Sequence, residues 1–376
     1  MLPHPPFWLV VVAFICALGP LVFFHELGHY LVARWFKIPA ESFSVGFGRE
    51  ILGWTDGQGT RWKVAWLPLG GYVKFVGDMS PASDPSELSH LPPEMRDKAF
   101  QARPVWQRFL VVLAGPAFNF ILAIAIFTAF FAVAGMPRTD NLVVSVQTGS
   151  VADEAGIKPG DRIVSISGRD TPSFEDISNY VIMRPAEAAT MVVERQKQRI
   201  GIPLTIGAAE ERDRFGQSFR VGRLGILGDA RTYAKLRPVE LVPAAVDYTV
   251  KITRSMMEGL WQIISGRRSV DDLGGPIKIA QIAGQQATLG ALPFIQLLAL
   301  FSINLGFINL LPVPLLDGGH LFFYTIEAIR RRPLSTRAVE WAFRGGLAVI
   351  LALVLFTTIN DLGSLGLWDR LQRLIG

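Results

Sequence analysis

The chain has 376 residues, of which only 18% are charged while the apolar types AVILMFWYC make up 50%. Ordinary soluble domains carry roughly 25% charged residues, so this balance, with a mean hydropathy of +0.33, excludes intrinsic disorder and argues against a soluble enzyme. A single cysteine excludes a disulfide scaffold, and the net charge of +5 reads as basic residues in loops beside a membrane, with no nucleic-acid partner expected.

The first apolar run, Phe7 to Phe24, carries no charge and spans a bilayer once the next turn is added. No basic residue precedes it and no small-residue cleavage site follows, so a retained helix is expected rather than a signal peptide. The same helical pattern runs on into His25-Glu26-Leu27-Gly28-His29. Residues four apart on a helix are turned by about 400°, which puts His25 and His29 on one face as two ligands of a tetrahedral zinc. Glu26 lies on the adjoining edge, where its carboxylate serves as general base toward water. Two imidazoles and a carboxylate at the end of an apolar run are costly without partners, which argues against a chance match.

Between Glu41 and Lys74 the pattern suits short strands, Ser42–Gly48 and Thr60–Trp66, around a turn at Gly57-Gln58-Gly59. A second span is predicted from Phe109 to Val133. From about Thr139 to Ala208 the chain reads as an α+β insert: strand Asn141–Val146, helix 150–156, strand Arg162–Ser167, helix Ser173–Met183 and a hairpin of Thr190–Glu194 with Gly201–Ile206. The stretch Leu236–Ile264 is interrupted by Lys251, Arg254 and Glu258 and is expected to lie along a surface.

A third span is predicted near Leu292–Leu311 and a fourth near Gly345–Ile359. After the third come Pro312, Pro314, Asp317, Gly318, Gly319 and His320. The prolines end the helix, and a carboxylate held between such breakers is aimed at something. Catalytic zinc usually takes three protein ligands. Asp317 is the candidate third ligand, with His320 as its rival. Basic residues crowd the connections from Arg34 to Arg108 and from Arg330 to Arg337, which places both connections in the cytoplasm and both termini, with the 139–208 insert, on the other side. His25, His29 and Asp317 then share one membrane depth.

The motifs HELGH and LLDGGH on separate spans, with Pro68–Lys74 (PLGGYVK), Gly115-Pro116-Ala117-Phe118-Asn119 and the span-three asparagines, resemble the site-2 protease family of intramembrane zinc metalloproteases. The resemblance is closest to its bacterial RseP-type (regulator of sigma-E protease) branch. It implies one catalytic Zn2+ held by His25, His29 and Asp317, with Glu26 as catalytic base. It further implies substrate contacts from Asn309, Asn304, Gly70 and Gly71, although interhelical structural bonding is an equal reading for Asn304 and Asn119. The β segment is implied to be a re-entrant sheet whose edge pairs with an unwound substrate. The insert resembles one PDZ domain, notably at SVADEAGIKPGDRIVSISG, where many relatives carry two.

The expected fold is thus a multi-pass α-helical membrane protein of about four transmembrane helices, with a re-entrant β-hairpin and one inserted PDZ domain. Its expected parts are 1–138, 139–208, a linker and surface segment over 209–291, and 292–376. The implied setting is a bacterial inner membrane. The implied substrates are single-span membrane proteins such as anti-sigma factors, with remnant signal peptides as a second class. The alternative is a catalytically inactive zinc-binding scaffold that recruits partners through its PDZ domain, against which an intact Glu26 argues. A metal transporter would need ionisable residues along a path, and spans two and four have none.

Overall fold

The computed structural model describes residues 5–77, 93–212, 218–228, 232–266 and 274–364. Helix α1 (Phe7–Trp35) is followed by strands β1 (Ala40–Thr55) and β2 (Arg61–Phe75), a single turn α2 (Pro93–Arg96) and helix α3 (Val105–Ala134). Next come β3 (Met136–Arg138), β4 (Val143–Val146), α4 (Val151–Glu154), β5 (Arg162–Ile166), β6 (Arg169–Asp170) and α5 (Phe174–Ile182). Strands β7 (Ala188–Arg195), β8 (Gln198–Thr205), β9 (Gly207–Arg212), β10 (Ser218–Arg223), β11 (Ile226–Gly228) and β12 (Thr232–Ala234) follow. The chain continues with α6 (Pro238–Ile264), α7 (Pro276–Thr288), α8 (Ala291–Asn309), α9 (Asp317–Arg330) and α10 (Thr336–Ser364).

Among the described residues α1, α3, α8 and α10 are long and apolar enough to cross a membrane, as the four predicted spans require. Their outward residues, Ile121, Val349, Leu351 and Leu355 among them, remain exposed. Water would oppose so much apolar surface, whereas hydrocarbon accepts it. The chain is a membrane protein. Helix α6 is 27 residues long but amphipathic, and it is not one of the four.

The fold divides into two compact units. The first takes the residues up to Ala129, Val242–Thr253 and 274–359. In it the β segment is longer than the sequence pattern suggested. Residues 49–55 lie beyond the expected first strand yet extend β1 to 16 residues, and β2 runs through the whole GGYVK segment. Register shifts bend both strands, so that Ser42 faces Lys74 on one side and Arg61 on the other, and Val45 faces Gly71 and Val64. Such bulges absorb residues that a strict alternation cannot count. Aromatic packing fixes this sheet to α1: Phe43 stacks on Trp62 at 4.3 Å between ring centres, and Tyr30 meets Trp62 at 5.1 Å. At the turn Asp56 accepts bonds from the Trp62 indole, from the Thr60 and Gln58 amides and from the Tyr30 hydroxyl. These donors, Trp62 foremost, hold its carboxyl down at about 2.

The second unit covers Phe130 to Leu241 and continues from Arg254. Its main sheet has the order β6-β5-β7-β8, and its core is built on Ile163, Ile166, Ile177, Met191, Val193, Ile206 and Leu224. Ser150 and Ser173 cap α4 and α5 through their side-chain oxygens. Buried Asp161 is paired with Arg195 at 2.7 Å. Glu258 of α6 accepts from Arg184 and, at 3.0 Å, from Arg169. The unit does not stop at Ala208: β11 pairs with β4, β12 pairs with β3, and Leu224 sits in the core. The stretch from 209, expected as linker, therefore supplies closing strands. A chain that must return to pair with its own first strand gives no local signal of that partner.

Candidate metal centre

Three side chains converge in the first unit. His25 Nε2 and His29 Nε2 are 3.3 Å apart, and Asp317 Oδ2 lies 3.1 Å from the first and 3.5 Å from the second. Ligands on one tetrahedral zinc, at bond lengths near 2.0–2.1 Å, stand about 3.3 Å from one another. The donor spacing therefore fits that ion. Asp317 Oδ2 is also buried without a hydrogen-bond partner. Two imidazoles and one carboxylate are a donor set suited to zinc. Among the described residues this is the group of three or more His, Cys, Asp or Glu with ligand atoms close enough to share an ion.

Local sequence explains how each ligand arrives. His25 and His29 are one turn apart on α1, as their spacing predicted, and both are buried. Helix α3 crosses against them at Gly28 and Gly115. A methyl on Gly28 would lie 2.4 Å from the Ala114 carbonyl oxygen, and one on Gly115 would lie 2.2 Å from His29 Nε2. That close approach lets His29 Nδ1 donate to the Val111 carbonyl at 2.9 Å, which leaves Nε2 free to face the ion. Gly115→Ala is accordingly expected to weaken zinc binding roughly tenfold or more, the scale found when ligand orientation is disturbed. A chelator competition titration on the folded variant would check this; unchanged affinity would separate the glycine from the ligand.

Asp317 is the first residue of α9. Two residues before it stands Leu315, whose φ of 85° is left-handed and strained for a bulky side chain. Methyl groups on Gly318 and Gly319 would meet the carbonyls of Leu311 at 2.2 Å and Val313 at 2.5 Å. The two glycines thus serve close packing of α9 on the preceding loop. At the far end of α9, Glu327 pairs with Arg108 of α3 at 2.7 Å, and the Arg108 guanidinium lies over the Tyr324 ring at 4.8 Å. This clamp fixes the helix that carries Asp317. Sequence reading gave Arg108 only a topological meaning.

A cavity of about 360 Å³ opens on the cluster. Glu26, Asn309, Gly70, Gly71 and His320 line it with the three ligands, so these expected site residues are brought together. Asn304 is not among the lining residues. Gly71 allows β2 to approach α1: a methyl there would lie 2.6 Å from Val22 and 3.2 Å from Glu26 Cγ. His320 is in the cavity but outside the donor cluster, its ring 5.2 Å from that of Phe343. Missed by sequence reasoning as a site residue is Asn119, whose amide lies 3.1 Å from His25 Nδ1. The signal the sequence offered was an amide inside the apolar second span, which needs a partner there but does not name it.

The profile of peptidase family M50 matches residues 13–353. The chain belongs to peptidase family M50. This is the site-2 protease family that the paired motifs resembled, and the match spans both motif helices and everything between them. Among similar proteins, one of Agrobacterium fabrum provisionally named a zinc metalloprotease is 46% identical, over 94% of this chain and 96% of its own length. The metalloprotease MmpA of Caulobacter vibrioides is 36% identical, over 95% of this chain and 96% of its own length. A third, from Rickettsia conorii and named in the same provisional way as the first, is 32% identical over 95% and 99%.

Proposed function

We propose that this M50 peptidase is an intramembrane zinc endopeptidase of the RseP-type branch. In this reading it cuts within or beside the transmembrane helix of a single-span regulator, such as an anti-sigma factor, in a bacterial inner membrane. Remnant signal peptides form a second substrate class. The observation that carries the reading is one cavity that joins the His25–His29–Asp317 donors, the Glu26 carboxylate and a strand edge of β2.

Zinc held by the three donors would polarise the scissile carbonyl and acidify the attacking water. Glu26 stands beside the donors without being one of them. It takes the proton of the water and returns it to the leaving amine. The Asn309 amide can donate to the oxygen on which negative charge develops. A peptide bond inside a helix is hydrogen-bonded and screened, so the substrate must unwind first. Residues 71–73 of β2 pair with β1 on one side and, with Gly70, line the cavity on the other. They are suited to take up the freed backbone by strand addition, with Gly70 and Gly71 leaving room for it.

The test is cleavage of a membrane-anchored peptide by the purified full-length chain. Cleavage should stop with a chelator and return with zinc. Zinc-loaded protein that cuts no membrane substrate would support the recruiting scaffold instead.

We read the second unit as one PDZ domain, and the site as open toward the cytoplasm with the PDZ domain and both termini outside. The role proposed for this domain is to gate substrates by size. Strands β3 and β12 pair with Arg138 opposite Thr232, so residues 139–231 can be replaced by a two-residue turn. That deletion should keep zinc bound and should permit cutting of a span that carries a bulky folded outer domain. The readout compares that substrate with one bearing a short stub. Continued rejection of the bulky form with slower cutting of the stub would refute gating and leave recruitment.

A further inference from the structure

Asn119 lies on α3 with no exposed surface, and its carboxamide nitrogen is 3.1 Å from His25 Nδ1. Its Oδ1 is buried and has no hydrogen-bond partner. Those two facts conflict with the tautomer that the donor cluster needs. His25 faces His29 and Asp317 through Nε2. A neutral imidazole that offers its lone pair at Nε2 carries its proton on Nδ1, and an Nδ1–H must donate. An amide nitrogen cannot accept it. The two ends of a carboxamide have nearly the same shape, and which end faces the ring is assigned from the hydrogen-bond network. Turning the group over brings Oδ1 to the imidazole and gives that oxygen the partner it lacks.

We propose that Asn119 is the positioning residue for His25: its Oδ1 accepts the Nδ1–H, fixing the tautomer and aim of the ring. The inference rests on the zinc reading of the cluster. His29 supplies a parallel, because its Nδ1 is held by the Val111 carbonyl of the same helix. Both ligand imidazoles are then oriented by α3, one through a backbone oxygen and one through a side-chain oxygen. The main chain at Asn119 is held by Ser302 of α8, which is fully buried and donates from Oγ to the Asn119 backbone carbonyl at 2.7 Å. Groups that orient ligand histidines this way are worth 10–100-fold in metal affinity.

The experiment measures zinc affinity of the full-length chain in detergent by competition with a chromophoric chelator, for Asn119→Leu and Asn119→Asp. Leucine keeps the bulk and removes the acceptor, so affinity should fall roughly 10–100-fold. Aspartate keeps an acceptor in the same place and should stay within about threefold of the unsubstituted chain, as carboxylate–histidine–zinc triads allow. The visible absorption of the cobalt-loaded protein should follow the same order, changed in the leucine variant and retained in the aspartate one. Equal affinity in the leucine variant would overturn the proposal. So would an aspartate variant as weak as the leucine one, since an acceptor-only side chain fails only if Asn119 donates or merely packs. Should Asn119→Leu not fold, the aspartate variant decides alone: affinity within about threefold of the unsubstituted chain supports the proposal, and a fall of roughly tenfold or more overturns it. The zinc reading is tested apart from these by His25→Ala: a chain that binds zinc equally well without His25 would refute the site and not the role of Asn119 alone.

Discussion

Glu26→Gln is expected to bind zinc as the unsubstituted chain does and to lose roughly 10²–10⁴-fold in cleavage rate, the range attributed to a positioned general base. Two features of the site separate binding from catalysis here. The donor atoms within reach of one ion come from His25, His29 and Asp317, so glutamine removes no ligand. Glutamine also matches glutamate in size, so the contact with Gly71, where a methyl would already stand 3.2 Å from the Glu26 side chain, is undisturbed. What changes is the ability to take a proton. Zinc content and single-turnover cleavage of an anchored peptide, measured on the same preparation, check both halves. Zinc loss with unaltered kinetics in the remaining loaded fraction would show that Glu26 is a ligand and not the base.

Much of the site was legible because its chemistry is local. His25, Glu26 and His29 lie within two helical turns, and the period of a helix alone puts the imidazoles on one face. Asp317 was legible from the prolines and glycines around it, although their effect differs in kind from a simple turn: the prolines follow the end of α8 and the glycines pack α9 against loop carbonyls. What depends on two distant segments was not legible. Nothing near Asn119 announces that it meets His25, and nothing near Arg108 announces Glu327. The four spans followed from uninterrupted apolar runs, which a bilayer demands of any crossing helix. The full reach of β1 and β2 did not, because bulges destroy the alternation by which strands are read. In the same way the closing strands β11 and β12 are too short to show a period of their own.

The choice of third ligand carries the other large effect. Asp317→Ala should lower zinc affinity by orders of magnitude and abolish cleavage, whereas His320→Ala should change affinity by less than about tenfold, below the full range seen for groups that only orient ligands. Both residues line the cavity, and both follow the same proline-bounded loop. Their surroundings differ. Asp317 Oδ2 is within 3.5 Å of both imidazole nitrogens and has no hydrogen-bond donor of its own to satisfy it. A buried carboxylate oxygen in that state is costly unless a cation or donor completes it. His320 sits three residues on, one turn along α9, where its ring packs near Phe343 and Tyr324 instead of joining the donors. An aromatic-lined imidazole can lose its side chain without unbalancing charge at the cluster. Metal titration of the two variants discriminates directly. A weaker site in His320→Ala than in Asp317→Ala would move the third ligand one turn along α9 and require that helix to rotate on binding, against the anchor formed by Arg108 and Glu327 at its other end.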